Sequence, residues 1–259
     1  MSYLFKSASP RLMSVALLTA VSLALAACSD EKKAETAAPA AKTETAQSQP
    51  AATTPATPAV STETTASTTP VELPQPEGEV DVAALMAPGP LPDVSLGKDD
   101  AKVTIVEYMS MTCPHCARFH NSVFEEIKQK YIDSGKARFV LREFPLDNRA
   151  AAAIMLARCA PKEQYFPMVS ALFKSQMTWA TAEDGRAALL QMAKLAGFSE
   201  QSFEACLTNQ KLLDEVNATR EKASKDFGVD STPTFFINGK RYAGEMSVAE
   251  MSALIDAAE

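Results

Sequence analysis

The chain has 259 residues and a formal net charge of −7, so it lacks the basic footprint that a nucleic-acid-binding protein needs. Its composition is uneven: no aromatic residue falls between Phe5 and Tyr108, and ten of the sixteen prolines lie within residues 29–92, among long Ala/Thr/Ser/Gln runs. Such a segment buries too little apolar surface to offset its ordering entropy, so the foldable part is expected at about residues 90–259, enough for a single core.

Lys6 and Arg11 precede an apolar run over residues 12–27, the charged and hydrophobic regions of an export signal. The run is short for a membrane span, which takes about 20 apolar residues. It ends in Leu25-Ala26-Ala27-Cys28 and is followed at once by polar Ser29-Asp30-Glu31-Lys32-Lys33. This resembles the bacterial lipoprotein signal, which is cut before a cysteine that is then acylated, here Cys28. Ordinary cleavage at Ala24-Leu25-Ala26, leaving Cys28 a free thiol, is the alternative. Two or more acyl chains would anchor the protein stably, and Ser29 leans toward outer-membrane sorting in that pattern. Residues 1–27 are therefore read as signal peptide and 28–89 as a disordered tether, whose first fifty residues have a coil dimension of about 40 Å. Val80-Asp81-Val82-Ala83-Ala84-Leu85-Met86 reads either as one short helix or as the less polar end of that tether.

Lys102-Val103-Thr104-Ile105-Val106-Glu107-Tyr108 is β-branched and apolar, as a buried strand should be, with Glu107 an odd carboxylate in the Val103/Ile105 row. Beyond Cys116, the residues Phe119, Val123, Phe124, Ile127 and Tyr131 recur at helical spacing, and Ser134-Gly135 ends that helix. A second strand over residues 137–144 is stopped by Pro145, and two such strands joined by a helix make a right-handed βαβ unit with a parallel pair. Helices are expected over 148–160, 163–177, 181–197, 199–209 and 210–227. Thr181 and Ser199 would be N-caps, and Gly197 and Gly228 C-terminal stops. Thr234-Phe235-Phe236-Ile237, the turn Asn238-Gly239 and Lys240-Arg241-Tyr242 make a hairpin. Ser247-Val248-Ala249-Glu250 is a capping box opening a last helix.

Cys113-Pro114-His115-Cys116 stands where the first strand gives way to its helix, a position suited to thiol–disulfide exchange. The positive end of the helix and its unpaired N–H groups favour a thiolate on Cys113, and Pro114 at the first helical position wastes no donor. His115 can stabilise that thiolate further. Cys116, one turn in, is expected to stay protonated, which makes Cys113 the nucleophile and Cys116 the resolving thiol. A c-type haem site is excluded because Ala117, not histidine, follows Cys116. A zinc site would need two further ligands, of which His120 is one at best; His120 is read as a helix-surface residue.

The order βαβ, helical block, ββα is that of a thioredoxin fold with an inserted helical domain over about residues 147–228. The run Val106-Glu107-Tyr108-Met109-Ser110-Met111-Thr112-Cys113-Pro114-His115-Cys116 resembles the active-site strand and helix start of the DsbA family of periplasmic disulfide oxidoreductases. Val229-Asp230-Ser231-Thr232-Pro233-Thr234-Phe235-Phe236-Ile237-Asn238-Gly239-Lys240 resembles that family's cis-proline loop and hairpin. The resemblance covers residues 94–259. It implies that Pro233 is cis, faces the cysteine pair and leaves a strand edge free for an extended substrate, with Thr232 the side chain nearest the sulfurs. It also implies that Glu107 is a buried acid beneath Cys116 that relays its proton; an edge-strand carboxylate reaching water is the alternative.

Of five cysteines, Cys28 and the pair Cys113/Cys116 leave Cys159 and Cys206, both on helices of the inserted block. They are expected to form a structural disulfide rather than remain two buried free thiols. The resemblance thus implies a monomeric, lipid-anchored periplasmic oxidase of exported proteins. It would be reoxidised by a DsbB-like quinone-linked membrane protein, with no bound cofactor and no metal of its own. A reductase or isomerase of the same superfamily, or a metal carrier using Cys113 and Cys116, are the other readings. Isomerases generally need a separate dimerisation domain, for which the tether is too polar.

Overall fold

A computed structural model describes residues 73–259; the readings placed on the signal peptide, Cys28 and most of the tether lie outside the described residues. Strand β1 (Gly78–Glu79) and helix α1 (Val82–Leu85) are followed by β2 (Val94–Leu96) and β3 (Val103–Met109). Helices α2 (Pro114–Ser122) and α3 (Phe124–Ile127) run into a π turn (Lys128–Ile132) before β4 (Ala137–Glu143). The helical block comprises α4 (Asn148–Cys159), α5 (Tyr165–Lys174), α6 (Gln176–Ala180), α7 (Gly185–Leu195), α8 (Glu200–Leu207) and α9 (Gln210–Phe227). The hairpin β5 (Thr234–Ile237) and β6 (Lys240–Ala243) and helix α10 (Val248–Ala258) complete the chain.

The six strands form one sheet in the order β1-β6-β5-β3-β4-β2, in which only β3 and β4 run parallel. Side chains alternate across a strand, so β3 feeds two cores. Val103, Ile105 and Met109 face the larger one, with Phe119 of α2, Phe139 of β4 and the helical block. Val106 and Tyr108 face the smaller one, with Leu85 of α1 and Ala223 and Phe227 of α9. The architecture is an α/β thioredoxin fold carrying an inserted helical domain.

Several local expectations are corrected. The tether was placed over residues 28–89, yet its last part is built into the fold. Gly78 and Glu79 pair with Arg241 and Lys240 of β6, and Leu85 is 1% exposed. Gly239 (φ 87°) lets this segment lie against the hairpin turn, since a Cβ there would come within 2.5 Å of the Val80 carbonyl oxygen. Arg142 of β4 then clasps it, donating to the Leu85 carbonyl (2.7 Å), to Tyr108 Oη (2.9 Å) and to both carboxylate oxygens of Asp93. The short strand β2 carries too few residues for a period to register in the sequence. The helix after Cys116 is not continuous, because Val123 at φ −118° bends it. Helix α7 is capped by Asp184, which accepts from the Ala187 N–H (2.9 Å), rather than by Thr181, whose hydroxyl donates back to the Met177 carbonyl (2.6 Å).

Candidate active site

The end of β3 delivers the chain to a tight turn in which the Cys113 N–H donates to the Ser110 carbonyl (3.1 Å). Cys113 is the N-cap of α2, and its sulfur accepts from the Cys116 N–H at 3.4 Å. A sulfur in place of the usual cap oxygen thus lies among the unpaired N–H groups of a helix start, where negative charge is favoured. Across the gap, the loop before β5 contains a cis Thr232–Pro233 peptide, and Cys113 Sγ lies 3.1 Å from the Thr232 carbonyl oxygen, to which it donates when protonated. The Thr232–Pro233 loop therefore lies against Cys113.

The two thiols differ in chemistry although both are buried. The Cys116 thiol, donating to the Cys113 sulfur, is the largest influence on Cys113. Together with Thr232 and the main-chain N–H groups of Cys116 and His115, it overrides burial and holds Cys113 at about 5, against an ordinary 9.0. Burial, the same hydrogen bond and the negative charge of Glu107 push Cys116 well up. At neutral pH one sulfur is thus an anion and its neighbour a neutral thiol.

His115 acts on Cys113 through its main-chain N–H. Its ring was expected to stabilise the thiolate, but it is exposed and turned to the rim. There Nδ1 lies 2.6 Å from Arg118 Nη2 and 3.2 Å from Glu245 Oε2. Arg118 also pairs with Glu245 (2.8 Å), so ring, guanidinium and carboxylate form one cluster on the rim. His120, read as a surface residue, is also corrected: its side chain is 3% exposed and its Nε2 lies 2.9 Å from Glu107 Oε2. The imidazole stacks on Phe173 of α5 at a centroid distance of 4.6 Å. Glu107 itself is fully buried, so it is no edge carboxylate reaching water, and its Oε1 has no hydrogen-bond partner among the described residues.

Two positioning residues were not found from the sequence. Gln176 of α6 is buried and donates through Nε2 to the carbonyls of Met111 (2.8 Å) and Cys113 (2.9 Å). Asp147 caps α4 with one carboxylate oxygen and accepts from Thr112 (2.6 Å) with the other. Both pin the motif to the helical block; a glutamine inside a helix carries no sequence signal for a partner 63 residues away. Cys159 of α4 and Cys206 of α8 are disulfide-bonded with a Cα–Cα distance of 6.1 Å, joining two helices of the same block. Among the described residues no group of three or more His, Cys, Asp or Glu side chains is gathered as a metal site.

A dithiol at the start of a helix, facing a cis-proline loop on a sheet with a parallel central pair, defines a thioredoxin-fold protein built around a Cys-x-x-Cys centre. A family model described as thioredoxin matches residues 91–257. The crystal structure of Wolbachia pipientis alpha-DsbA1 is 34% identical, with a TM-score of 0.62, covering 67% of this chain and 94% of that one. The chain belongs to the thioredoxin family, on its DsbA-like branch of thiol–disulfide oxidoreductases. A Rickettsia bellii relative, whose name describes it as a protein-disulfide oxidoreductase, is 35% identical over 167 residues. The match spans 64% of this chain and 64% of that protein's length. A protein-disulfide isomerase structure from Novosphingobium aromaticivorans is 25% identical, with a TM-score of 0.57, covering 64% of this chain and 98% of that one.

Proposed function

We propose that the protein is an oxidase that passes the Cys113–Cys116 disulfide to dithiols of exported polypeptides. A substrate thiolate attacks Cys113 Sγ, the bond to Cys116 breaks, and Cys116 leaves with a proton relayed through Glu107. A second substrate thiolate then attacks its own sulfur in the mixed disulfide and releases Cys113 as a thiolate. The substrate gains a disulfide and the protein becomes a dithiol. Thr232 and Pro233 hold the substrate backbone beside the sulfurs. The observation carrying this reading is the stabilised anion on Cys113, because a leaving group held at about 5 makes the dithiol the favoured form and the disulfide a strong oxidant.

The wider setting belongs to the same proposal. Residues 1–27 serve as export signal, Cys28 carries the lipid anchor, and the tether ends before residue 78. The 78–259 unit with its 147–228 insertion then works as a monomer in the periplasm, reoxidised by a DsbB-like quinone-linked membrane protein. Labelling cells with a radioactive fatty acid tests the anchor: label that persists in Cys28→Ala defeats it.

An isomerase is the second reading, favoured by the likeness to the Novosphingobium protein that bears that name. Equilibrating the protein with glutathione and measuring its reduction potential separates oxidation and isomerisation from simple reduction. A potential well above that of thioredoxin is expected, and one close to thioredoxin's would overturn the oxidase reading. Recovery of a scrambled four-cysteine substrate, tested beside oxidation of a reduced peptide, then distinguishes isomerase from oxidase.

A further inference from the structure

Behind α2, on the side of the larger core, lies a groove of about 890 Å³ between β2, α2–α3 and α5. His120, Phe124, Phe166 and Val169 form part of its wall, and no residue of the wall belongs to the Cys113–Thr232–Pro233 face. His120 is therefore the only described residue in both the groove wall and a hydrogen bond to Glu107. Its Nε2 is engaged by Glu107 Oε2, while its Nδ1 has no hydrogen-bond partner among the described residues.

We infer that His120 relays the Cys116 proton between Glu107 and the solvent of this groove, on a route separate from the face that the substrate covers. The inference deepens the exchange reading and rests on it. A polypeptide bound in mixed disulfide with Cys113 lies over the front of the site. Cys116 must nevertheless gain or lose a proton at that moment, and a fully buried thiol has no water of its own. Glu107 offers an unpartnered buried oxygen, Oε1, to the Cys116 proton. Its other oxygen passes a proton to His120 Nε2, and the ring releases one from Nδ1 to the groove. When Cys116 is the leaving group the same transfers run in reverse.

The surrounding charges fit this role. Glu143, the other fully buried acid, is occupied by Arg158 (2.5 and 2.8 Å) and by the Tyr165 hydroxyl (2.9 Å), and so does not compete for the proton. The groove wall carries three acids, Asp93, Glu125 and Glu163, against three lysines, Lys128, Lys162 and Lys174, so polar side chains that hold water line the exit from the ring.

The test mixes reduced full-length protein with oxidised glutathione and follows two phases. In the first, the Cys113 thiolate attacks glutathione disulfide, forming the mixed disulfide and releasing one glutathione thiolate. In the second, Cys116 gives up its proton, attacks Cys113 Sγ and releases the second glutathione thiolate. His120→Gln keeps a hydrogen bond to Glu107 but cannot pass a proton on. It is expected to slow the second phase about tenfold or more, and to leave the first within about twofold. In His120→Ala, added imidazole should enter from the groove and restore the second phase saturably. An unchanged second phase in His120→Gln, or equal slowing of both phases, would overturn the relay. If His120→Ala does not fold, the Gln variant decides alone. A wild-type protein that forms no mixed disulfide would instead defeat the exchange reading itself.

Discussion

The sulfur of Cys113 accepts a hydrogen bond from the backbone N–H of Cys116 at 3.4 Å, and the side chain of the same residue is the largest influence holding its pKa down. The second cysteine thus prepares the first as a nucleophile before it ever acts as the resolving thiol. Thiolate absorbance should therefore report a Cys113 titration with a midpoint near 5. Cys116→Ala removes the leading donor and is expected to move that midpoint upward. Cys116→Ser, with a hydroxyl in its place, should move it less. A midpoint that stays put in Cys116→Ala would show that the helix start alone sets the acidity.

The same shift makes the stability of the reduced protein depend on pH. Cys113 has a depressed folded pKa, so its contribution is complete above the ordinary thiol value of 9.0 and is lost as pH falls through about 5. Between pH 7 and pH 5 the reduced form should lose about 2 kcal/mol relative to the disulfide form, which has no thiolate to titrate. Denaturant unfolding of both forms at the two pH values checks this; a constant difference between them would contradict it.

Arg142 and Leu85 fix where the domain begins. A chain starting at residue 90 loses the buried Leu85 side chain and the carbonyl that accepts from Arg142. It is expected to be about 2–4 kcal/mol less stable than one starting at residue 73. Urea denaturation of the two truncations is the measurement, and equal midpoints with equal slopes would return residues 78–86 to the tether.

Glu143 is fully buried, and Arg158 and Tyr165 satisfy it. Arg158→Met strands that carboxylate and should cost about 3–5 kcal/mol, whereas the double change Arg158→Met with Glu143→Gln should recover part of the loss. Additive costs in the double variant would mean that the pair does not act as a unit.

Breaking the Cys159–Cys206 bond with paired alanines removes a cross-link across 47 residues and should cost about 4 kcal/mol on loop entropy. Because the bond lies within the helical block, the Cys113 titration midpoint is expected to stay near 5. A shifted midpoint would show that the bond also shapes the active site.

The sequence by itself determined the βαβ start, the hairpin, the capped last helix and the cysteine pair, because each is a local pattern. A run of β-branched residues, an Asn-Gly turn, a Ser-x-x-Glu cap and a Cys-x-x-Cys run require no knowledge of distant residues. Only the tertiary structure decided which side chains serve those sulfurs. His120 reads as surface by its polarity, yet it is buried because Glu107, thirteen residues earlier on the neighbouring strand, offers it a partner. Gln176 and Arg142 are likewise meaningful only through carbonyls 63 and 57 residues away, which folding brings to 2.9 and 2.7 Å. Burial makes such partners necessary, since a polar group removed from water must find another, and which partner it finds is a property of packing in space rather than of order along the chain.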